Sequence, residues 1–253
     1  VDALGLVGDR RFLVVDPAGN FLTQRAFPRM ALVATTLDTT HLTLSVAAPT
    51  GVTAVRVPLA PDASAPLLAV TIWKHTGLLA EDCGAGPAEF LTAFLGAPCR
   101  LVRIGVKFHR PILKAAARPG DAFTFADGAP LLAVSEASLA DLNDRIIARG
   151  GEPVPMDRFR PNVVLADCAA LAEDALGRFR IGDAVFRSAG KSIRCILTTT
   201  DQATAARGPE PLRTLATYRR DATDSTSVCF GENVINETKS STVRVGDAVE
   251  LLA

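Results

Sequence analysis

Gly190-Lys-Ser-Ile-Arg-Cys-Ile-Leu-Thr-Thr-Thr-Asp201 is the stretch on which the reading of this chain turns. Cys195 follows Arg194 at the head of an apolar, β-branched run. Branched side chains fit a pleated sheet, so residues 196–200 are expected to form a strand. Alternation along that strand would put Cys195, Leu197 and Thr199 on one face and Arg194, Ile196 and Thr198 on the other. A thiol beside a fixed positive charge can serve as ligand or nucleophile, because a nearby cation favours the thiolate. Residue type alone favours the plainer role of a small buried hydrophobe. The rest of the chain has to decide between them.

The 253 residues are enough for one large or two modest domains, and 48% hydrophobic with 21% charged residues is ordinary for a globular protein. The 27 basic and 27 acidic residues cancel. That argues against nucleic acid or an acidic membrane as a partner recruited by bulk charge. The five cysteines, Cys83, Cys99, Cys168, Cys195 and Cys229, are scattered, odd in number and without a C-x-x-C pair. Neither a disulfide framework nor a zinc site is expected, and a reducing, cytoplasmic setting fits best. His41, His75 and His109 lie 34 residues apart and show no metal-ligand spacing. No apolar run approaches the ~20 residues that span a bilayer. The chain opens on structured-looking sequence, so a targeting segment could lie ahead of it.

In order, residues 12–15 and 21–24 read as a hairpin around Asp16-Pro-Ala-Gly-Asn20. Strands are expected at 31–36, 42–46, 54–59 and 69–73, a small mostly-β unit. Residues 87–95 read as a short helix with proline in its first turn, Gly96 at its end, and Phe90, Leu91, Phe94 and Leu95 as a packing stripe. Gly84-Ala-Gly86 lacks the frame of a phosphate loop. After a strand at 99–104, the segment 106–120 turns basic and reads as a solvated linker. A domain boundary falls near 105–110. Residues 131–134 read as a strand, and Ser138 with Asp141 as the cap of a helix burying Leu139, Leu142 and Ile146, closed by Gly150-Gly151. Phe159-Arg-Pro-Asn162 precedes a buried-looking strand at 163–165. Ile181-Gly-Asp-Ala-Val185 and Val245-Gly-Asp-Ala-Val249 echo each other as hairpin signals, and a last helix is expected at 212–219. Strands dominate, and regular strand–helix–strand units are few, so the fold class is mostly β with peripheral helices (α+β).

Several stretches together resemble the MOSC superfamily, the molybdenum cofactor sulfurase C-terminal domains, and within it the amidoxime-reducing components and their bacterial relatives. They are Gly8-Asp-Arg10, Thr23-Gln-Arg25, Asp82-Cys-Gly84, Leu132-Ala-Val-Ser-Glu-Ala-Ser-Leu-Ala-Asp-Leu-Asn143, Arg158-Phe-Arg-Pro-Asn162, Arg194-Cys-Ile-Leu-Thr-Thr199, Glu210-Pro-Leu-Arg-Thr-Leu215, Phe230-Gly231 and Val245-Gly-Asp247. They run in family order over nearly the whole chain. The resemblance implies a β-rich N-terminal domain over 11–105 and a MOSC β-barrel core over 106–253, with residues 1–10 contributing to the core and the cofactor site.

The resemblance also implies a molybdenum–molybdopterin cofactor. Cys195 falls on the cysteine that ligates molybdenum and carries the catalysis. Arg10, Arg160 and Arg194 fall on arginines lining the pterin site. Ser135, Asn162 and Asn233 fall on further cofactor-binding positions. Guanidinium forks suit a phosphate and a soft thiolate suits the metal, so the chemistry of these residue types agrees with the placement. The chain departs from the family in Ser192-Ile193, where Cys-Ser is usual, and in Asn233, where the amidoxime-reducing component carries tyrosine. The Lys-Ser segment that precedes Gly-Asp-Arg in the family is not in the sequence. The implied activity is reduction of small N-hydroxylated substrates with electrons from a separate flavin, haem or iron–sulfur protein. The alternative is a carrier or sulfur-transfer module for the cofactor without turnover. The family also has an association with pyridoxal phosphate, although no pyridoxal-phosphate domain is identifiable here.

Overall fold

The computed structural model describes residues 1–48 and 51–253. The chain forms two compact units. One comprises Arg10–Arg110 with Gln202–Ala206; the other comprises Val1–Asp9, Pro111–Asp201 and Arg207–Ala253. The architecture is mostly sheet with few helices.

The first unit contains β1 (Phe12–Val15), β2 (Ala34–Leu37), β3 (His41–Ala48), β4 (Gly51–Pro58), β5 (Leu67–Ile72), β6 (His75–Asp82), α1 (Ala85–Leu95) and β7 (Arg100–Arg103). They make a four-stranded sheet in the order β1-β7-β6-β5 and a three-stranded sheet β2-β3-β4. Pro87 sits in the first turn of α1, and Leu91 and Leu95 are buried against Leu42, Leu44, Val57 and Leu101. Here two expectations change and one is trimmed. The hairpin at residues 12–24 is short: Asp16 turns the chain by accepting from Ala18 N and Asn20 N, Asp16 N donates to Asn20 O and Leu22 N to Val14 O, both at 2.8 Å, and Val15 bridges Phe21, while β1 pairs along its length with β7. A strand the sequence hid, β6, ends in buried Glu81 and Asp82, whose charges mask a β pattern; Arg103 pairs with Glu81 at 2.8 Å. Nor is the basic stretch simply solvated. Lys107 and His109 are exposed, but Arg110 is fully buried and its Nε donates to His75 Nδ1 at 3.4 Å.

The second unit contains β8 (Leu131–Ser135), α2 (Glu136–Ala148), β9 (Val163–Leu165), β10 (Arg178–Ile181), β11 (Ala184–Arg194), α3 (Leu212–Leu215), β12 (Val228–Asn236) and β13 (Val249–Leu252). Its six-stranded sheet runs β13-β10-β11-β12-β8-β9. Pairing is antiparallel except between β8 and β9. Ile181-Gly-Asp-Ala184 is the hairpin expected between β10 and β11. Its echo at 245–249 is a turn leading into β13, which pairs with β10. The last helix stops at Leu215, short of residue 219. Helix α2 is capped by Ser135, not Ser138: Ser135 is the last extended residue, and its Oγ accepts from Ser138 N at 2.9 Å.

β8 is buried at every position, and its side chains alternate between two cores. Leu131 and Ala133 join Phe179, Phe186 and Val234. Leu132 and Val134 join Leu142, Ile146, Phe159, Leu215, Val228 and Phe230. On β12, Phe230 and Val234 are an even number of residues apart yet lie in different cores. Strict alternation forbids that. The strand departs from it at a bulge. β11 carries one extra residue between Ser188 and Lys191, and β12 carries one between Glu232 and Cys229, so the register before Ser188 resumes at Ile193. Gly190 and Gly231, with φ of 91° and 79°, supply the left-handed conformations in the two bulges. Gly231 is also crowded. A Cβ there would lie 2.7 Å from Val134 Cγ2 and 2.8 Å from Ala133 O.

Gly231→Ala is therefore expected to destabilise the protein by about 2–4 kcal/mol, combining left-handed strain with overpacking against β8. Chemical denaturation of the two proteins measures it. A loss under about 1 kcal/mol would mean the bulge is not constrained in this way.

Candidate functional site

Residues 196–200 do not extend β11. Ile196–Thr199 form a 3-10 turn. Thr198 donates to Cys195 O from its amide at 3.0 Å and from its hydroxyl at 2.9 Å, and the Thr199 hydroxyl donates to Ile196 O at 2.8 Å. Threonine hydroxyls bonding back to carbonyls three residues earlier favour a turn over a ladder, which is how local bonding overrides β propensity here. Cys195 thus sits where an extended strand breaks into a turn. It is half-buried, between Ile193 and Ile196, which are 58% and 48% exposed. Arg158 fixes the far side of the turn: its Nη1 donates to Thr199 O at 2.9 Å and its Nη2 to Asp201 Oδ2 at 2.8 Å.

Arg194, the last residue of β11, is held by its own surroundings. Nη1 donates to Ser192 Oγ at 3.0 Å and Nη2 to Phe159 O at 2.9 Å, with the guanidinium 5.6 Å from the Phe159 ring centroid. One residue beyond Phe159, Arg160 is exposed and has φ of 55°. Its backbone precedes Pro161, which disfavours the right-handed helical region. Such a conformation costs on the order of 1–3 kcal/mol and persists only where the surroundings hold it.

Asn162 clasps β8. Its amide donates to Leu132 O at 2.9 Å, and its Oδ1 accepts from Leu132 N at 3.0 Å. Leu132 is the register partner of Asn233 on β12. The Asn233 Nδ2 in turn donates to Gly190 O and Lys191 O at 2.9 and 3.1 Å. One polar line therefore runs from the β11 bulge through β12 and β8 to the Arg160–Asn162 loop. Ser135 is fully buried at the end of β8. Its hydroxyl caps α2 and donates to Ser138 Oγ, which donates to buried Glu173. Six of the seven expected site residues thus belong to the unit of the six-stranded sheet. Arg10, half-buried with φ of 48°, belongs to the other unit.

The remaining cysteines are placed differently. Burial pushes the Cys83 thiol up to about 12 and the Cys229 thiol up to about 11, and raises Cys99 as well. Cys168 packs against the Phe179–Phe186 core. Among the described residues, no three His, Cys, Asp or Glu side chains gather to hold a metal. Two features of this region gave no signal in the sequence. Glu232 and Lys114 adjoin the polar line, and only the fold reveals them.

The MOSC domain family model matches residues 120–250, and the MOSC N-terminal beta barrel domain model matches residues 1–98. The chain belongs to the MOSC family. It is 37% identical to human "Mitochondrial amidoxime-reducing component 1" over 98% of this chain and 74% of that protein. The mouse protein of the same name is 36% identical over 98% and 73%. Zebrafish "Molybdenum cofactor sulfurase" is 32% identical over 90% of this chain but only 28% of its own length. These relationships support a molybdenum-cofactor-related function. No helix among the described residues is long and apolar enough to cross a membrane.

Arg158→Met should loosen the turn that follows Cys195. Losing two hydrogen bonds, one of them charge-assisted to Asp201, is expected to cost about 1.5–3 kcal/mol. Urea unfolding reads that loss. Amide exchange at residues 196–201 should rise with it, and an unchanged exchange rate would contradict the assignment.

Proposed function

We propose that this protein is a molybdenum-cofactor-dependent reductase of small N-hydroxylated compounds. The observation that carries the reading is Cys195. It is a half-buried residue at the break between strand and turn, adjoining a pinned arginine, in a chain 37% identical to a relative named as an amidoxime-reducing component. In this reading Cys195 is the protein's ligand to molybdenum. Arg194 and Arg160 hold the anionic parts of the pterin cofactor by charge-assisted hydrogen bonds. Asn233 and Asn162 shape the wall, and Ser135 sets the start of α2 beside it. The N-terminal domain over 11–105 and the barrel core over 106–253 are the two bodies of that enzyme.

When bound, the cofactor supplies two-electron oxygen-atom chemistry. The overall change breaks the N–O bond of R–NH–OH. Two electrons and two protons enter, and R–NH2 and water leave. The electrons come from a separate donor protein carrying flavin, haem or iron–sulfur. The chain's own residues bind and orient: the arginines fix the cofactor, and exposed Ile193 and Ile196 give the mouth of the site an apolar rim. Five cysteines outside any disulfide agree with a reducing compartment.

A second reading, a carrier or sulfur-transfer module, is favoured by the match to the cofactor sulfurase. Turnover separates the two. The protein, made in a host that assembles the cofactor, should hold near-stoichiometric molybdenum and pterin and reduce an amidoxime with a chemical electron donor. Cys195→Ala should keep the fold and lose activity by at least about a hundredfold, the upper end of what losing a mere outer-shell partner of a metal ligand costs. Cofactor-loaded wild type without turnover would favour the carrier. Full activity and metal in Cys195→Ala would overturn both readings of the cysteine.

A further inference from the structure

Glu232 is a carboxyl on a strand buried at all nine positions, and it is itself only 3% exposed. It lies within the double bulge, in register with Lys191. Its Oε1 accepts from Gly190 N at 2.9 Å. The next residue, Asn233, donates to Gly190 O and Lys191 O. Two consecutive side chains of β12 therefore hold the amide and both carbonyls of the β11 bulge. Three residues further along β11 begins the Ile193-Arg194-Cys195 segment. We infer that Glu232 is a positioning residue: with Asn233 it clamps the Gly190–Lys191 bulge and so sets the path of the strand that delivers Arg194 and Cys195.

The geometry explains why a carboxyl is needed here. A bulge takes backbone groups off the ladder, and a buried N–H without an acceptor costs about 1–3 kcal/mol. Gly190 has no Cβ and its own side offers no acceptor, so the partner strand provides one. Glu232 Oε2 is buried too, and the Ser188 hydroxyl adjoins the carboxyl. Burial raises the carboxyl to about 7. Gly190 N–H, the Ser188 hydroxyl and Lys114 favour its charged form, while Asp174 opposes it. Asp174 is itself compensated, by Lys191 at 3.2 Å and by both terminal nitrogens of Arg219. Lys114 reaches in from the segment before β8. The place a Cβ would take on Gly128 is 3.6 Å from Lys114 Cε and 4.0 Å from Asn233 Oδ1. β8 faces the carboxyl with Ala133 and brings no titratable group.

A folded-state value raised above the ordinary carboxylate range means the fold holds the proton that the unfolded chain releases. The resulting stability is present at low pH and lost as pH rises through about 7. The clamp should therefore report on pH in the same window. The inference rests on the proposed cofactor reading only for why the strand's path matters; its test needs no cofactor. Amide exchange and amide chemical shifts would be followed by NMR in the full chain, wild type, Glu232→Gln and Glu232→Ala, from pH 5.5 to 8.5. In the wild type the Gly190 amide shift should titrate near neutrality; in Glu232→Gln it should stay flat with protection within about twofold of wild type. In Glu232→Ala exchange at Gly190, Lys191, Arg194 and Cys195 should rise at least about tenfold, while Phe186–Ser188 stay as they were. Exchange rising evenly through β11 and β12 would mean a merely structural role and overturn the inference. So would a Gly190 shift that titrates identically in Glu232→Gln. A protein that binds no molybdenum yet shows the localised response keeps the clamp and removes the proposed function.

Discussion

The paired bulges of β11 and β12 are the constraint on which the second unit depends. Each strand takes one extra residue on opposite sides of the Lys191–Glu232 pair, so the offsets cancel. A single bulge would have slipped the remaining pairing by one residue and turned every later side chain to the wrong face. Two in opposition restore the register, while the facing of β12 changes across the bulge. Val228 and Phe230 serve one core and Val234 the other, while Arg194 still opposes Val228 in the register of Ser188 and Val234. β12 can thus be buried on both faces and still carry an offset in the middle. Glycine on both strands is the condition for this, since each bulge needs a positive φ.

Such an offset leaves polar backbone inside an apolar strand pair, and the sequence answers with polar side chains at that level. Glu232 and Asn233 are the two polar residues in the middle of Val228–Asn236, and both are spent on the β11 bulge. From there hydrogen bonds continue through Leu132 to Asn162, tying the loop that carries Arg160 to the same strands. A polar line like this is valuable only when its members are satisfied, because the low dielectric that strengthens each bond also penalises each gap. The candidate site is therefore built on the rigid centre of the sheet, with its exposed arginine and half-buried cysteine at the ends of elements that the bulge holds.

The sequence made some of this legible and hid the rest for identifiable reasons. The apolar run at 131–134, the stripe at Leu91 and Leu95, and the Gly-Asp turn after Ile181 all announce their elements, because patterning and turn chemistry agree there. β6 was missed because it closes on Glu81 and Asp82, charges whose partners Arg103 and Arg100 lie on β7 and are invisible to a local pattern. The strand expected after Cys195 failed because β propensity counts threonine's branched carbon and ignores its hydroxyl. Ser138 looked like a cap because it precedes an acid by three residues. The real cap, Ser135, is fixed by where β8 stops pairing with β9 at Leu165. Lys114 and Glu232 carry no local signal at all. Lys114 reads as a linker lysine, and only the fold brings it beside Glu232 and Asn233.

The break at Cys195 gives this cysteine a setting unlike that of Cys229. A thiol in the middle of a buried strand meets the fate of Cys229, whose burial and the neighbouring Asp221 both hold it protonated. A thiol at the surface of a loop has no fixed direction. Cys195 has extended backbone on one side, anchored through Arg194 to Phe159, and a hydrogen-bonded turn on the other, anchored through Thr199 to Arg158. Its carbonyl is committed to the Thr198 amide and hydroxyl. The main chain is thus fixed on both sides of the half-buried Cys195. In the proposed cofactor-bound protein, such preorganisation would let Cys195 meet the metal with little further ordering of the chain.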